Sequence, residues 1–317
     1  MKKVAILNYM KFNYDGKLDF SALRSIAQIS EYEFTPIEDI AKRAQGQDII
    51  ITKELPVSAE VVAALPGTVK LICEAGTGYN NIDIKAARER GITVCNVPGY
   101  STYSVAQLAI ALMLNLSSSI QKQISMLKQG NYENFTKFLQ VPHHDVGGKI
   151  LGVIGAGAIG RQVIKVALAL GMKVLYYDVQ TYNLGEDARS ADLEELLKES
   201  DFISIHSPLT DKTKHLIDMN KLKMMKKSAF IINTSRGAII KESDLIIALK
   251  EGLIAGAALD VQEIEPPAVD NPLFSMENVI MTPHIGWQTV EARQRLVEKM
   301  TENIKSFLEG RPINVVN

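Results

Sequence analysis

Residues 150–160 read Ile-Leu-Gly-Val-Ile-Gly-Ala-Gly-Ala-Ile-Gly. An apolar run ends in Gly155, Gly157 and Gly160, in the pattern G-x-G-x-x-G. Alone, such a triplet is only a glycine-rich turn. Here an apolar strand precedes it and a helical run over Arg161–Leu170 follows it. The acidic Asp178 closes the next apolar run, 18 residues after Gly160. That is the context a dinucleotide site requires. Gly155 permits the tight turn, Gly157 lets the backbone approach a pyrophosphate, and Gly160 lets helix and strand pack closely. The helix N-terminus offers unpaired N–H groups and a positive dipole end to the phosphates. Asp178 can accept hydrogen bonds from an adenosine ribose and would repel a 2′-phosphate. Val179-Gln180-Thr181-Tyr182 supplies no Arg or Lys to neutralise one. The stretch predicts an NAD(H) site rather than an NADP(H) site.

Outward from this stretch the chain alternates short β-type runs with longer helical ones. Downstream, the strand candidates are Ile150–Ile154, Lys173–Tyr177, Phe202–His206, Ala229–Asn233, Ala255–Leu259 and Val279–Met281. Rich in Val, Ile and Leu with little alternation, they suit strands covered on both faces. Upstream, Val4–Asn8, Ile49–Thr52, Leu71–Glu74 and Thr93–Asn96 read as strands. Ser21–Ser30, Ser58–Ala64 and Ile82–Arg90 read as the helices between them, with Gly91 as a C-cap. A long helix is expected from about Thr102 to Lys128, then a polar segment over Gly130–Lys149. The last helix, about Thr289–Leu308, stops at Gly310 with Pro312 beyond. The pattern predicts α/β architecture with parallel, doubly wound sheets.

Composition sets bounds on partners. The 317 residues are 46% hydrophobic and 22% charged, which suits a globular chain and not a disordered or fibrous one. Thirty-five Lys+Arg against 36 Asp+Glu give a net charge of -1, so no strong field favours nucleic acid or an anionic membrane. Two cysteines, Cys73 and Cys95, both in apolar runs, predict buried thiols and neither a disulfide framework nor a metal site. The N-terminal Lys-Lys pair precedes a short apolar run without a cleavage site, so it reads as a strand. Gly99–Gln121 is nearly uncharged but too polar to span a bilayer. A soluble cytoplasmic protein is expected.

Three later segments each begin as an apolar strand and end in a polar loop with an ionisable residue. They run Ile231–Gly237, Ala258–Pro266 and Met281–Trp287, and they contribute Arg236, Glu265 and His284. Alone, Arg236 would read as a surface charge, Glu265 as a solvated loop acid and His284 as a buried or capped loop histidine. In sequence after three strands of one nucleotide-binding sheet they form a constellation. The set of G-A-G-A-I-G at 155–160, T-S-R-G at 234–237, L-D-V-x-x-x-E-P at 259–266 and P-H-I-G at 283–286 resembles the D-isomer-specific 2-hydroxyacid dehydrogenase family over essentially the whole chain. The finer pattern is similar to its glycerate dehydrogenase, or hydroxypyruvate reductase, branch. That rests on E-A-G-T-G-Y-N-N-I-D at 74–83, N-V-P-G-Y-S-T at 96–102, Trp287 and the terminal N-V-V-N.

The resemblance implies catalytic roles that chemistry supports. His284 would donate the proton in reduction of a 2-keto acid, because an ordinary imidazole titrates near neutrality. Glu265 would orient the ring and favour the imidazolium. Arg236 would clamp the substrate carboxylate with its planar fork and polarise the keto oxygen. Ala158 and Ile159 would lie against the pyrophosphate, although many relatives carry Arg or another polar residue where Ala158 stands. Ser207, Pro208 and Thr213 would border the adenosine side, and Thr234, Arg236 and Asp260 the nicotinamide side. Asp260 is alternatively a loop-capping carboxylate. Thr77 and Gly78 would bind the substrate carboxylate through backbone N–H groups, and Tyr100 would line the substrate pocket, or instead pack at a hinge. Glu74 and the absence of Arg or Lys between Cys73 and Ile84 argue against a phosphorylated substrate.

The implied architecture pairs a flavodoxin-like substrate domain, residues 1–98 with 288–317, with a Rossmann-type domain, residues 99–287, and a cleft between them. Crossings near Gly99 and Trp287 would be the hinge, and closure would expel water. Relatives are homodimers through the nucleotide domain, with the apolar helix around Val105–Leu116 as the expected contact. The expected partner is thus a second copy and a small 2-keto or 2-hydroxy acid, with no nucleic acid, membrane or metal. The alternatives are action on pyruvate or on a branched or aromatic keto acid, a formate-dehydrogenase-like activity, and an NADH-sensing corepressor-like protein. The formate branch pairs its histidine with Gln where Glu265 stands.

Overall fold

The computed structural model describes residues 1–317 and separates two compact units. Met1–Ser101 with Trp287–Asn317 form the first, and Thr102–Gly286 the second. Gly99–Ser101 and Trp287 belong to the first because Tyr100 and Trp287 are packed among its buried apolar side chains.

The first unit holds strands β1 (Lys2–Ile6), β2 (Ala27–Glu31), β3 (Ile49–Thr52), β4 (Leu71–Glu74) and β5 (Thr93–Cys95). All are parallel, in the order β2-β1-β3-β4-β5. This is the flavodoxin-like doubly wound order. Every residue of β3 and β4 is buried, which explains their unbroken apolar sequence. Around β1 the side chains alternate: Val4 and Ile6 join one core, Ala5 and Leu7 the other. The Val290–Leu308 helix covers the first core with Ala292, Leu296, Val297, Met300 and Ile304 at helical spacing. Thr289 caps it by accepting from the Ala292 N–H. Cys73 and Cys95 are free, buried and opposite each other on β4 and β5.

One expected helix is shorter than its sequence suggested. The Ser21–Ile26 helix stops early, and Ala27–Glu31 pairs with β1 as the edge strand. Beyond Ala27 no residue of Ala-Gln-Ile-Ser-Glu is buried, so no apolar run marks it. Pairing with β1, not local propensity, decides its conformation.

The second unit holds β6 (Ile150–Ile154), β7 (Lys173–Tyr177), β8 (Ala188–Ser190), β9 (Phe202–Ile205), β10 (Phe230–Asn233), β11 (Gly256–Leu259) and β12 (Val279–Met281). They form one parallel sheet, in the order β12-β11-β10-β9-β6-β7-β8. The six expected strands are joined by β8, a three-residue edge strand with one buried residue. Strand order reverses at β6, between β7 and β9, and ligands bind outside the carboxyl ends at such a point.

The expected Thr102–Lys128 helix breaks at Ser119, whose φ is 48°, and Ile120–Lys128 departs at 63° from Thr102–Ser118. Ala106, Ala109, Ile110, Leu112, Met113 and Leu116 are buried in this unit's own core. Before the break Tyr103 is exposed, and after it Ile120, Ile124, Leu127, Tyr132, Phe135 and Phe138 are. No single helix is long and apolar enough to cross a membrane.

Candidate active site

Gly155 turns the chain out of β6 with φ 94°. A Cβ there would lie 2.6 Å from the Ser207 nitrogen, so the ends of β6 and β9 can approach only over glycine. A Cβ on Gly160 would lie 2.0 Å from the Gly155 carbonyl oxygen, which is the close helix–strand packing the motif implies. Gly157 is different. Its φ is an ordinary -64°, and nothing lies within 4 Å of a Cβ position there. The fold itself does not demand glycine at 157; the vacant space suits a phosphate brought against the backbone. Gly157 caps the Ala158–Ala169 helix without a side-chain hydrogen bond, which leaves first-turn N–H groups to an anion. Ala158 is exposed there and Ile159 half-buried. Gly160→Ala is expected to cost about 1–3 kcal/mol by overpacking, with a melting point lower by several degrees and weakened NADH binding. A thermal melt and an NADH titration both matching the wild type would contradict this.

Asp178 fastens the glycine loop. Its Oδ2 accepts from the Ala156 N–H at 2.7 Å and its Oδ1 from the Gln180 N–H at 3.0 Å. A carboxylate retains further lone pairs for a ribose hydroxyl. Arg161 stands beside it, donating to the Ala156 carbonyl at 2.9 Å, with its guanidinium 4.8 Å from the Tyr182 ring centre. Residues 179–182 give no sign of this cation, because it reaches the turn from the helix.

Ser207 and Thr234, after β9 and β10, are each 8% exposed, and their hydroxyls have no hydrogen-bond partner. An unpaired buried hydroxyl costs about 1–3 kcal/mol. Two of them near the switch point fit a site completed by a polar ligand. His206 Nδ1 is also unpartnered, while Nε2 lies 2.8 Å from Ser204 Oγ. Burial pulls the His206 pKa down to about 4, so the ring is neutral. Pro208 is exposed, and its carbonyl accepts from Thr213 Oγ1 at 2.7 Å. Thr213 Oγ1 also accepts from the Thr210 N–H at 2.8 Å, so this hydroxyl secures the 208–213 turn. The open Gly157, the helix end and the two orphaned hydroxyls together fit a dinucleotide.

The carboxyl ends of β10, β11 and β12 bring the three ionisable residues into one unit. Asn233 shapes the first loop, donating to the Arg236 carbonyl at 2.9 Å and accepting from the Ser235 N–H at 3.0 Å. Arg236 is half-buried, donates to the Ser235 carbonyl at 2.8 Å and has no acidic partner. A Cβ on the next residue, Gly237, would lie 1.9 Å from the Gln262 carbonyl, so this loop presses on the one carrying Glu265. Glu265 Oε1 accepts from the Gln262 N–H at 3.0 Å, and Oε2 lies 2.8 Å from His284 Nδ1. A carboxylate only accepts, so Nδ1 carries the proton.

Asp260, 1% exposed, organises the histidine turn. It accepts from Thr282 Oγ1 at 2.6 Å, the Ile285 N–H at 2.8 Å and the Gly286 N–H at 2.9 Å. Its carbonyl accepts from the His284 N–H at 2.8 Å. Burial raises its pKa against the pull of those donors. These bonds hold His284 at a left-handed φ of 55°. Its carboxylate thus acts as a cap of the loop that carries His284.

In the first unit the Thr77 and Gly78 N–H groups make no backbone hydrogen bond within the protein. Thr77 Oγ1 donates to the Val97 carbonyl at 3.0 Å, and the Thr77 carbonyl accepts from Asn96 Nδ2 at 2.7 Å, which sets the turn. Glu74 beneath it is fully buried and accepts from Thr52 Oγ1, the Glu54 N–H and Asn81 Nδ2. Burial raises the Glu74 pKa, and Lys53 opposes the rise. Lys53 Nζ lies 2.7 Å from Glu54 Oε1, 4.0 Å from the Trp287 ring centre and 3.4 Å from a Cβ position on Gly76. The loop therefore has a cation after all, from the end of β3, which the window Cys73–Ile84 could not show. Tyr100 is 3% exposed in the apolar core, its carbonyl accepting from Arg295 Nε at 2.9 Å. It packs among the apolar side chains of that core. No three His, Cys, Asp or Glu side chains are grouped to hold a metal ion.

Known proteins carry the same organisation. Residues 110–286 match the model of the D-isomer specific 2-hydroxyacid dehydrogenase NAD binding domain. The chain is 38% identical to a hydroxypyruvate reductase of Blautia hydrogenotrophica, over 99% of each chain. It is 40% identical to a glycerate dehydrogenase of Methylorubrum extorquens, over 91% of this chain and 92% of that one. The D-lactate dehydrogenase of Aquifex aeolicus, solved with NAD and lactic acid, superposes with a TM-score of 0.84 at 29% identity, over 98% of this chain and 96% of that one. The chain belongs to the D-isomer specific 2-hydroxyacid dehydrogenases, NAD-dependent oxidoreductases acting on a CH–OH group.

Proposed function

We propose that this chain reduces hydroxypyruvate or glyoxylate to D-glycerate or glycolate, using NADH. The observation that carries the reading is the His284–Glu265 pair at 2.8 Å, in one unit with an Arg236 that has no acidic partner. When bound, the reduced nicotinamide supplies the hydride. Arg236 binds the 2-keto acid carboxylate and polarises the keto oxygen. His284 gives its Nε2 proton to that oxygen as negative charge develops. Glu265 keeps the ring in the required tautomer and stabilises the cationic form. In the first unit the Thr77 and Gly78 N–H groups are donors suited to a carboxylate.

The names of the similar proteins support the small-substrate reading, and so does the charge at the Gly76 turn. Lys53 sits between Glu54 and Glu74, one cation against two acids, which leaves no net positive charge for a phosphate. Hydroxypyruvate is expected to exceed 3-phosphohydroxypyruvate in kcat/KM by at least about tenfold, a difference of about 1.4 kcal/mol. A steady-state comparison favouring the phosphorylated acid would contradict the reading. Asp178 supports NADH over NADPH by repulsion of a 2′-phosphate, with Arg161 as the one opposing charge nearby.

The proposed assembly is a cytoplasmic homodimer through the nucleotide domain. The apolar residues of the Thr102–Ser118 helix are largely committed to their own core. The exposed side chains from Ile120 to Phe138 are the surface left for a second copy. Light scattering is expected to give twice the chain mass, and a monomer mass would contradict this.

A further inference from the structure

A second histidine–carboxylate pair stands in the same unit as His284 and Glu265. His215 Nε2 lies 2.6 Å from Glu263 Oε1. The other Glu263 oxygen accepts from the Glu242 N–H at 3.0 Å, and the Glu263 N–H donates to Glu242 Oε2 at 3.2 Å. Asn271 Nδ2 holds the remaining Glu242 oxygen at 2.8 Å. His215 is itself fixed, at a φ of 52°, by its N–H donating to the Ala238 carbonyl at 2.8 Å. Burial would raise the Glu263 pKa, but the Glu242 N–H and His215 overcome it and keep the carboxylate charged.

Chain connectivity ties this cluster to the reaction. Glu263 is two residues before Glu265; Gln262 is buried, but the intervening Ile264 is 74% exposed, so burial does not anchor the chain between Glu263 and Glu265. Glu265 is held locally by the Gln262 N–H, and the Gln262–Glu263 peptide is pressed against Gly237, next to Arg236. The location of the Glu265 carboxylate therefore depends on where residues 262 and 263 are fixed. We propose that His215, Glu263 and Glu242 are positioning residues that clamp the Gln262–Glu265 segment and set the contact between Glu265 and His284. The clamp touches no reacting atom. It rests on the reading of His284 as proton donor only for its effect on turnover. A small displacement at a catalytic group is costly, with about 1 Å worth as much as about a hundredfold in rate.

Glu263→Ala is expected to lower kcat about tenfold, with the KM for hydroxypyruvate and the Kd for NADH nearly unchanged. Glu263→Gln is expected to restore most of the rate, since the amide oxygen can accept from Glu242 and its NH2 can donate to a neutral imidazole. The proton magnetic resonance of His284 Nδ1–H, shifted downfield by its carboxylate partner, is the second readout. It should broaden or move upfield in the alanine variant and recover in the glutamine variant. Wild-type kcat and a wild-type resonance in Glu263→Ala would overturn the proposal. So would a glutamine variant as impaired as the alanine one. Should Glu263→Ala not fold, His215→Ala is read by the same two measurements. If the wild type turns over no 2-keto acid, the proposed function fails, while the resonance comparison still decides the clamp.

Discussion

Replacement of His284 by Asn is expected to lower kcat for 2-keto acid reduction by about 10²–10⁴-fold, the usual worth of a positioned general acid. NADH affinity should stay within about twofold, because the glycine loop, Asp178, Ser207 and Thr234 are untouched. The substitution is mild in structure. Asn can still donate to Glu265 Oε2, 2.8 Å from the present Nδ1. The turn is held by Asp260 through Thr282, Ile285 and Gly286, not by the imidazole. The position has a left-handed φ of 55°, which Asn tolerates better than most residues. What disappears is the imidazole proposed as the proton donor. Steady-state rates with an NADH fluorescence titration separate the two effects, and an unchanged kcat would remove His284 from the mechanism.

Arg236→Lys should produce the other large loss, about 10²–10³-fold in kcat/KM, with NADH affinity again nearly unchanged. The charge is kept and the planar fork is lost, so the size of the fall measures bidentate recognition of the carboxylate. No ion pair is broken within the protein, because the Arg236 side chain has no acidic partner and donates to the Ser235 carbonyl. The melting temperature should therefore stay within a few degrees of wild type. A kcat/KM within about threefold of wild type would show that substrate is held elsewhere.

The central strands of both units were readable because they are covered on two faces, as in Ile49-Ile50-Ile51 and Phe230-Ile231-Ile232. The edges were not. Ala27–Glu31 and Ala188–Ser190 are strands because a neighbour pairs with them, and their own residues carry little apolar signal. The break at Ser119 was also hidden, since both flanking segments have helical sequence. At the site, Gly155, Gly160, Arg236, Glu265 and His284 follow strands in a fixed order, so local sequence locates them. Contacts made across the sheet are different in kind. Lys53 meets the Gly76 turn from the end of β3, Arg161 reaches Ala156 and Tyr182 from a helix, and His215 meets Glu263 from 48 positions away. The bonds that Asp260 accepts from the histidine turn and the burial of Tyr100 likewise depend on neighbours remote in sequence.

The decisive experiment is NADH oxidation by the purified protein with hydroxypyruvate, combined with chiral analysis of the product. Stoichiometric NADH consumption and D-glycerate as the sole enantiomer are expected. NADH that binds but is not oxidised by hydroxypyruvate, glyoxylate or any other 2-keto acid would contradict the proposed mechanism, as would L-glycerate.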